Sequence, residues 1–496
     1  MSHSTQSWKD HPNIYEINTR VWINELSHKY NGKITLDTVP KDTFENYLSY
    51  FDAVWLMGVW ERSPASKKVA AEHKDLQNEF NEALEDFSEE DIIGSPYAVY
   101  YYHVDSDLGG KDGLKAFRKE LSKRDIQLIL DYVPNHVSKD HLWTLEKSDA
   151  FIEGTQEDLQ NHPNEYFEAY DKIFAHGKDP YFPPWTDTVQ INAFSKDARQ
   201  KTINTLLLIA EKCDAVRCDM AMLMTNKVFS NTWGDKAGTP PETEFWEEVI
   251  PKVKEKYPEF KFIGEVYWDM EWELMQQGFD YCYDKRLYDR VMDKNITGIK
   301  EHLTADFNYQ KKLVRFIENH DEPRVLEKMD VMPSLAGAVL ILTLPGIGLV
   351  HEGQMRGYTI KIPVQLRRRK KEEINLEVLE IYRDLLNIIS KNDIKNGKWE
   401  LCQQLSMDNN PGASNLISYN WHRTNTKHFI VIVNLSGEKS AARIKIPTLK
   451  QVSDELIFND ILNKQTYRIK TEEVKNEGFP VELYGWKSNI YEIKQV

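Results

Sequence analysis

At 496 residues, with 41% hydrophobic and 28% charged side chains, the chain has the composition of a folded globular protein; it is long enough for roughly two to four domains, or for one large α/β barrel with appendages. A net charge of −15 and the absence of any basic stripe exclude nucleic acid as the expected partner and count against a strongly anionic substrate. The N-terminus lacks a basic stretch followed by an apolar one, and the longest apolar run (335–350) is short and broken by Pro345, so neither a secretory leader nor a membrane span is expected.

In chain order, IYEINTRVWIN (14–24) reads as a first strand, followed by a helical pattern at 40–50 and a second strand, AVWLMGVW (53–60). Residues 61–92 are charged and lead to GSPYAVYYYHVDSDLGG (94–110), where Tyr97, Tyr100, Tyr101 and Tyr102 cluster beside turn residues. A helix at 111–124 precedes IQLILDYVPNHV (126–137), a continuous apolar run with polar ends, as in a buried parallel strand. Residues 138–193, rich in Pro, Asp, His and aromatics, show weak periodicity; an irregular insertion of that length is usually functional.

Helix 196–211 is followed by CDAVRCDMAM (213–222). There Arg217 and Asp219 share a face of the strand, with Cys218 on the other, so the arginine can hold that carboxylate ionised and aimed. Strands at 260–268 and 279–284, a helix at 286–302, a strand opening KLVRFIENHDEPR (312–324), a helix at 334–343, a strand at 346–353 and a helix at 374–390 complete the alternation. Eight strands alternating with helices predict a (β/α)8 TIM-type barrel over 1–395, with the irregular insertion 138–193 after strand three. Beyond NDIKNGKW (392–399) short alternating strands take over, so 396–496 is expected to be a C-terminal antiparallel β-sandwich domain. Cys213, Cys218, Cys282 and Cys402 form no CxxC pair and read as free thiols of a cytoplasmic protein.

In such a barrel the chemistry comes from the C-terminal ends of the strands. Four ends are loaded: Asp131, Asn135 and His136 on the third, Arg217 and Asp219 on the fourth, Glu265 on the fifth, and Asn319, His320 and Asp321 on the seventh. Carboxylates at buried strand ends are costly, and three converging ones should raise the pKa of at least one. Two carboxyl groups with separated pKa values are what glycosidic-bond chemistry requires.

DYVPNH (131–136), AVRCDMAM (215–222), Glu265 within FIGEVYW and IENHD (317–321) resemble, in order, the four sequence signatures of the α-amylase superfamily, glycoside hydrolase family 13. The resemblance spans roughly 14–390. It implies Asp219 as nucleophile, Glu265 as general acid/base and Asp321 as transition-state stabiliser. It also implies that Arg217 positions Asp219, that His136 and His320 contact sugar hydroxyls, that Asp131 supports the site, and that Tyr97 stacks on the sugar, with Tyr100 or Tyr101 as substitutes. The implied function is retaining cleavage of α-1,4-glucosidic bonds in maltodextrins or related α-glucans. A transglycosylase or glucosyltransferase, sucrose- or trehalose-type chemistry included, and a non-catalytic glucan-binding subunit are the alternatives.

The sequence departs from the family where Met222 and Leu223 replace the frequent Lys-His pair after the nucleophile. No cofactor is required by this reading; calcium stays open, with Asn135 as its candidate ligand. His351-Glu352 lacks a histidine at 355 and is no zinc-protease motif. RRRKKEE (367–373) reads as a solvated helix approach, and Trp185 and Trp268 as buried structural side chains rather than cleft walls.

Overall fold

A computed structural model describes residues 7–146, 148–407, 411–423, 427–447, 449 and 453–495. Eight parallel strands close into a barrel in sequence order: β1 (Asn13–Asn18), β2 (Ala53–Met57), β3 (Gln127–Tyr132), β4 (Ala215–Cys218), β5 (Lys261–Gly264), β6 (Tyr281–Tyr283), β7 (Leu313–Arg315) and β8 (Ile347–His351). Nearly every strand residue is buried, which explains why these segments read as continuous apolar runs rather than alternating ones. By contacts the chain divides into two compact units, one of residues 1–8, 15–283 and 361–371, the other of 9–14, 284–360 and 372–496.

In the first unit, Arg217 on β4 lies in register with Asp131 on β3 and with Ile263 on β5. The segment after β3 pairs His136–Ser138 with Thr188–Gln190, and it carries a hairpin of Tyr166–Ala169 and Lys172–Ala175 and a short helix, Gln156–Asn161. The basic run leads into the helix Leu376–Asn392, as expected of a helix approach, but it is only partly solvated. Arg367 and Arg368 both bind Asp91, Arg369 is buried and pairs with Glu25, and Lys370 pairs with Glu85. The Arg368 guanidinium and the Ser88 amide outweigh burial and hold the Asp91 carboxyl at about 2.

In the second unit, β7 and β8 are joined by the helix Val331–Thr343, buried at nearly every position. The C-terminal residues build a six-stranded antiparallel sheet and a three-stranded one. Phe458 of the larger stacks on Phe479 of the smaller at 3.9 Å, inside a core that includes Leu416, Ile430, Ile444, Val481 and Tyr491.

Several predicted bounds shift for local reasons. The first strand ends at Asn18, whose side chain accepts a hydrogen bond from the Val21 amide and caps a helix, Thr19–Lys29. The predicted helix at 286–302 is two, Lys285–Met292 and Ile296–Leu303, split where Lys294 adopts φ +55° and Asn295 caps the second. All four cysteines are free and buried, and no described helix is long and apolar enough to cross a membrane.

Candidate functional site

The centre of the first unit's site is one cation. Arg217, 1% exposed, donates from Nη1 to Asp219 Oδ1 and from Nη2 to Glu265 Oε2, each at 2.7 Å, and its Nη1 lies 3.7 Å from Asp131 Oδ1. The strand period places Arg217 and Asp219 side by side, and parallel pairing brings in Asp131 from β3. The rings of Trp55, Tyr97 and Tyr283 lie 5.2–5.8 Å from the guanidinium carbon. Burial alone would lower the Arg217 pKa; Glu265, Tyr283, Tyr97 and Asp219 outweigh it and hold the group well above its ordinary value. A permanently charged arginine thus offsets the desolvation of the surrounding carboxylates.

Backbone geometry fixes the two carboxylates further. Met220, directly after Asp219, adopts φ +40°, ψ 46°, and its amide donates to Glu265 Oε2 at 2.8 Å. The Ala221 amide donates to the Glu265 carbonyl, and the Glu265 amide to that of Cys218. The other oxygen, Glu265 Oε1, accepts the Tyr267 hydroxyl at 2.8 Å. A left-handed, non-glycine residue next to Asp219 costs about 1–3 kcal/mol, strain of the kind that gathers at functional sites.

Asp131 accepts the Gly58 amide at 3.2 Å, while its carbonyl accepts the Trp60 indole N–H at 2.8 Å. His136 is buried, and burial pushes it down to about 3, so its imidazole is neutral at pH 7. Tyr97 is half-buried with its face toward Arg217; Tyr100 and Tyr101 stand ring to ring at 4.2 Å on the neighbouring strand Val99–Val104.

In the second unit, the loop after β7 pairs His320 Nε2 with Asp321 Oδ2 at 3.0 Å. The Asn319 side chain accepts the amides of Asp321 and Glu322. The Asp321 side chain is 41% exposed, unlike the buried Asp219 and Glu265. Arg217 therefore joins Asp131, Asp219 and Glu265 in one cluster, and Asp321 has its own partner in His320.

Three neighbours of this cluster escaped the sequence reading: Tyr267, Tyr283 and Trp55. Tyr267 was discoverable, since a residue two beyond Glu265 returns to the same side while the chain stays extended. Trp268 corrects the expectation of burial. It is 39% exposed at φ +61°, and its ring meets that of Tyr181 (71% exposed) edge to face at 5.1 Å.

The calcium that the resemblance leaves open finds no fit at Asn135. Its Oδ1 accepts from Gln190 Nε2 at 2.9 Å, and its Nδ2 donates to Gln190 Oε1 at 3.2 Å. Among the described residues, no three His, Cys, Asp or Glu side chains converge as a metal site.

A family model described as alpha amylase, catalytic domain, matches residues 51–398. The chain belongs to the α-amylase superfamily. Alpha-amylase MalA of Haloarcula japonica is 22% identical over 363 residues, 72% of this chain and 45% of the relative. Alpha-amylase 3 of Dictyoglomus thermophilum is 22% identical over 274 residues, 52% of each chain. The chain thus spans about half the length of these curated relatives. Among solved structures, the noncanonic maltogenic alpha-amylase AmyB from Thermotoga neapolitana superposes with a TM-score of 0.68 at 20% identity, covering 98% of this chain and 99% of that one. The Geobacillus thermoleovorans alpha-amylase complexed with acarbose gives 0.67 at 16% identity and 99% coverage of both chains. An acarbose-soaked debranching enzyme from Nostoc punctiforme gives 0.65 at 17%, with 98% and 99% covered. These superpositions show the amylase fold.

Proposed function

We propose that this α-amylase-superfamily chain is a retaining glycoside hydrolase that cleaves α-1,4-glucosidic bonds of maltodextrins or related α-glucans. The observation that carries the reading is the single guanidinium holding Asp219 and Glu265 together. Retention uses carboxyl groups about 5–5.5 Å apart, whereas inversion leaves about 6.5–9.5 Å for a water, and one planar fork spanning both groups favours the narrower arrangement.

In the first step Asp219 attacks the anomeric carbon as the bond to the leaving oxygen breaks, and Glu265 gives that oxygen its proton. Arg217 and the Met220 amide occupy Glu265 Oε2, so Oε1, beside the Tyr267 hydroxyl, carries the proton. In the second step Glu265 takes a proton from water, the water oxygen bonds to the anomeric carbon, and the ester to Asp219 breaks. Asp321, on the loop after β7, is assigned the stabilisation of the oxocarbenium-like transition state; His136, His320 and Tyr97 are assigned sugar contacts, and Asp131 their support. One structural neighbour complexed with acarbose and another soaked with it support an oligosaccharide as ligand.

Transfer to a second sugar is the other reading, and the exposed Tyr181–Trp268 pair favours it. Trp268 follows Glu265 by three residues, within about 11 Å along the chain, so its face can stack on an acceptor ring. Incubation with maltoheptaose, with and without Asp219→Asn, decides between them. Shorter products lost in the variant support hydrolysis and longer ones support transfer; an unchanged substrate in both samples contradicts either enzyme reading.

A further inference from the structure

The contact between Asn135 and Gln190 is a complete exchange of hydrogen bonds. Gln190 is fully buried and Asn135 1% exposed. Gln190 Nε2 lies 2.9 Å from Asn135 Oδ1, 2.9 Å from the Asn135 carbonyl oxygen and 3.0 Å from the Ile191 carbonyl oxygen. Its Oε1 accepts from Asn135 Nδ2 at 3.2 Å and from the Lys178 amide at 3.3 Å. Three oxygens thus surround one amide nitrogen. Such a set, a side-chain carbonyl with two backbone carbonyls, is what a hard cation would take as ligands. Here the positive end of a carboxamide dipole fills the space.

The location gives the contact a function. Asn135 lies on the loop leaving β3, three residues before the insertion begins, and Gln190 lies on the returning strand Thr188–Gln190. Between them run the residues that carry Tyr181 and Trp185, the latter 5.0 Å from the His136 ring. We propose that the Gln190 carboxamide stands where a bridging cation would sit against Asn135, and ties residues 138–193 to β3 without a metal ion. The amide pair leaves no oxygen pointing at a vacancy, and a cation entering there would meet two N–H hydrogens. This inference does not rest on the proposed activity.

The test is thermal unfolding of the full chain in EDTA and across a calcium titration. The midpoint of the natural sequence is expected to stay constant within about 1 °C, since a ligand that does not bind the folded state shifts nothing. Gln190→Glu keeps the shape but turns the donor into an anion facing three oxygens. Its midpoint in EDTA at neutral pH is expected to fall by on the order of 5 °C and to recover when calcium is added. Gln190→Ala should fall similarly without a calcium response, with faster proteolysis inside 138–193. A calcium-dependent rise in the natural sequence overturns the proposal, as does a Gln190→Glu variant as stable in EDTA as the parent. Should that variant not fold, metal analysis of the natural chain, saturated with calcium and then gel-filtered into calcium-free, chelator-free buffer, decides: one retained calcium per chain contradicts the tie, and none upholds it.

Discussion

Two buried arginines in this molecule perform opposite tasks. Arg217 directs its two Nη groups at carboxylates from separate strands, with aromatic faces around it. Arg324, 2% exposed, binds Glu318 at 2.6 Å, but the same Nη1 also meets His351 Nδ1 and the Glu352 carbonyl. The second oxygen of Glu318 is taken by the Val325 amide, so the loop from 318 to 325 is clamped at both ends. The residue types are the same and the outcome differs. Where the partners are strand-end carboxylates from different strands, the arginine gathers them into one charged cluster. Where they include backbone carbonyls and amides, it fixes a loop.

That contrast can be broken, and the heaviest blow falls on the proposed nucleophile. Asp219→Asn should lower kcat on maltoheptaose by at least about 10⁴-fold, read from initial rates. Glu265→Gln should cost about 10²–10⁴-fold, and less on maltosyl fluoride, whose leaving group needs no proton; equal losses on both substrates would remove Glu265 as the acid. Arg217→Met and Arg324→Met should each destabilise by about 3–5 kcal/mol, because each strands a buried carboxylate, measured by urea unfolding. Only Arg217→Met should also abolish turnover in the folded fraction; an inactive, well-folded Arg324→Met would erase the distinction.

The smallest effect concerns pH. Burial lowers His136 to about 3 and His141 and His176 to about 4. The unfolded chain takes up protons on these groups below about 6.5, and the folded chain does not. Stability is therefore complete above about 6.5 and falls as pH drops toward about 4. The melting temperature should decline from pH 7 to pH 5, and His141→Gln should shallow that slope.

Much of this was legible before folding. The buried strands announce themselves as apolar runs with polar ends, and the alternation of a strand pairs Arg217 with Asp219 without any coordinates. What stayed hidden depends on partners distant in sequence. Asp91 and Glu25 turn the basic run at 367–370 into a set of clasps, and no local pattern names those partners. The left-handed turns at Met220 and Trp268 are equally silent, since neither residue type advertises positive φ. The expectation that converging carboxylates repel one another missed that a single guanidinium binds two of them at once.

The proposed double displacement requires Asp219 to form a bond to the sugar. A fluorinated maltosyl fluoride, whose second step is slow, should leave a sugar ester on the peptide spanning 213–222, with the added mass on Asp219 by tandem mass spectrometry. An ester found on a different carboxylate, or steady turnover with no ester and an inverted anomeric product, would contradict it.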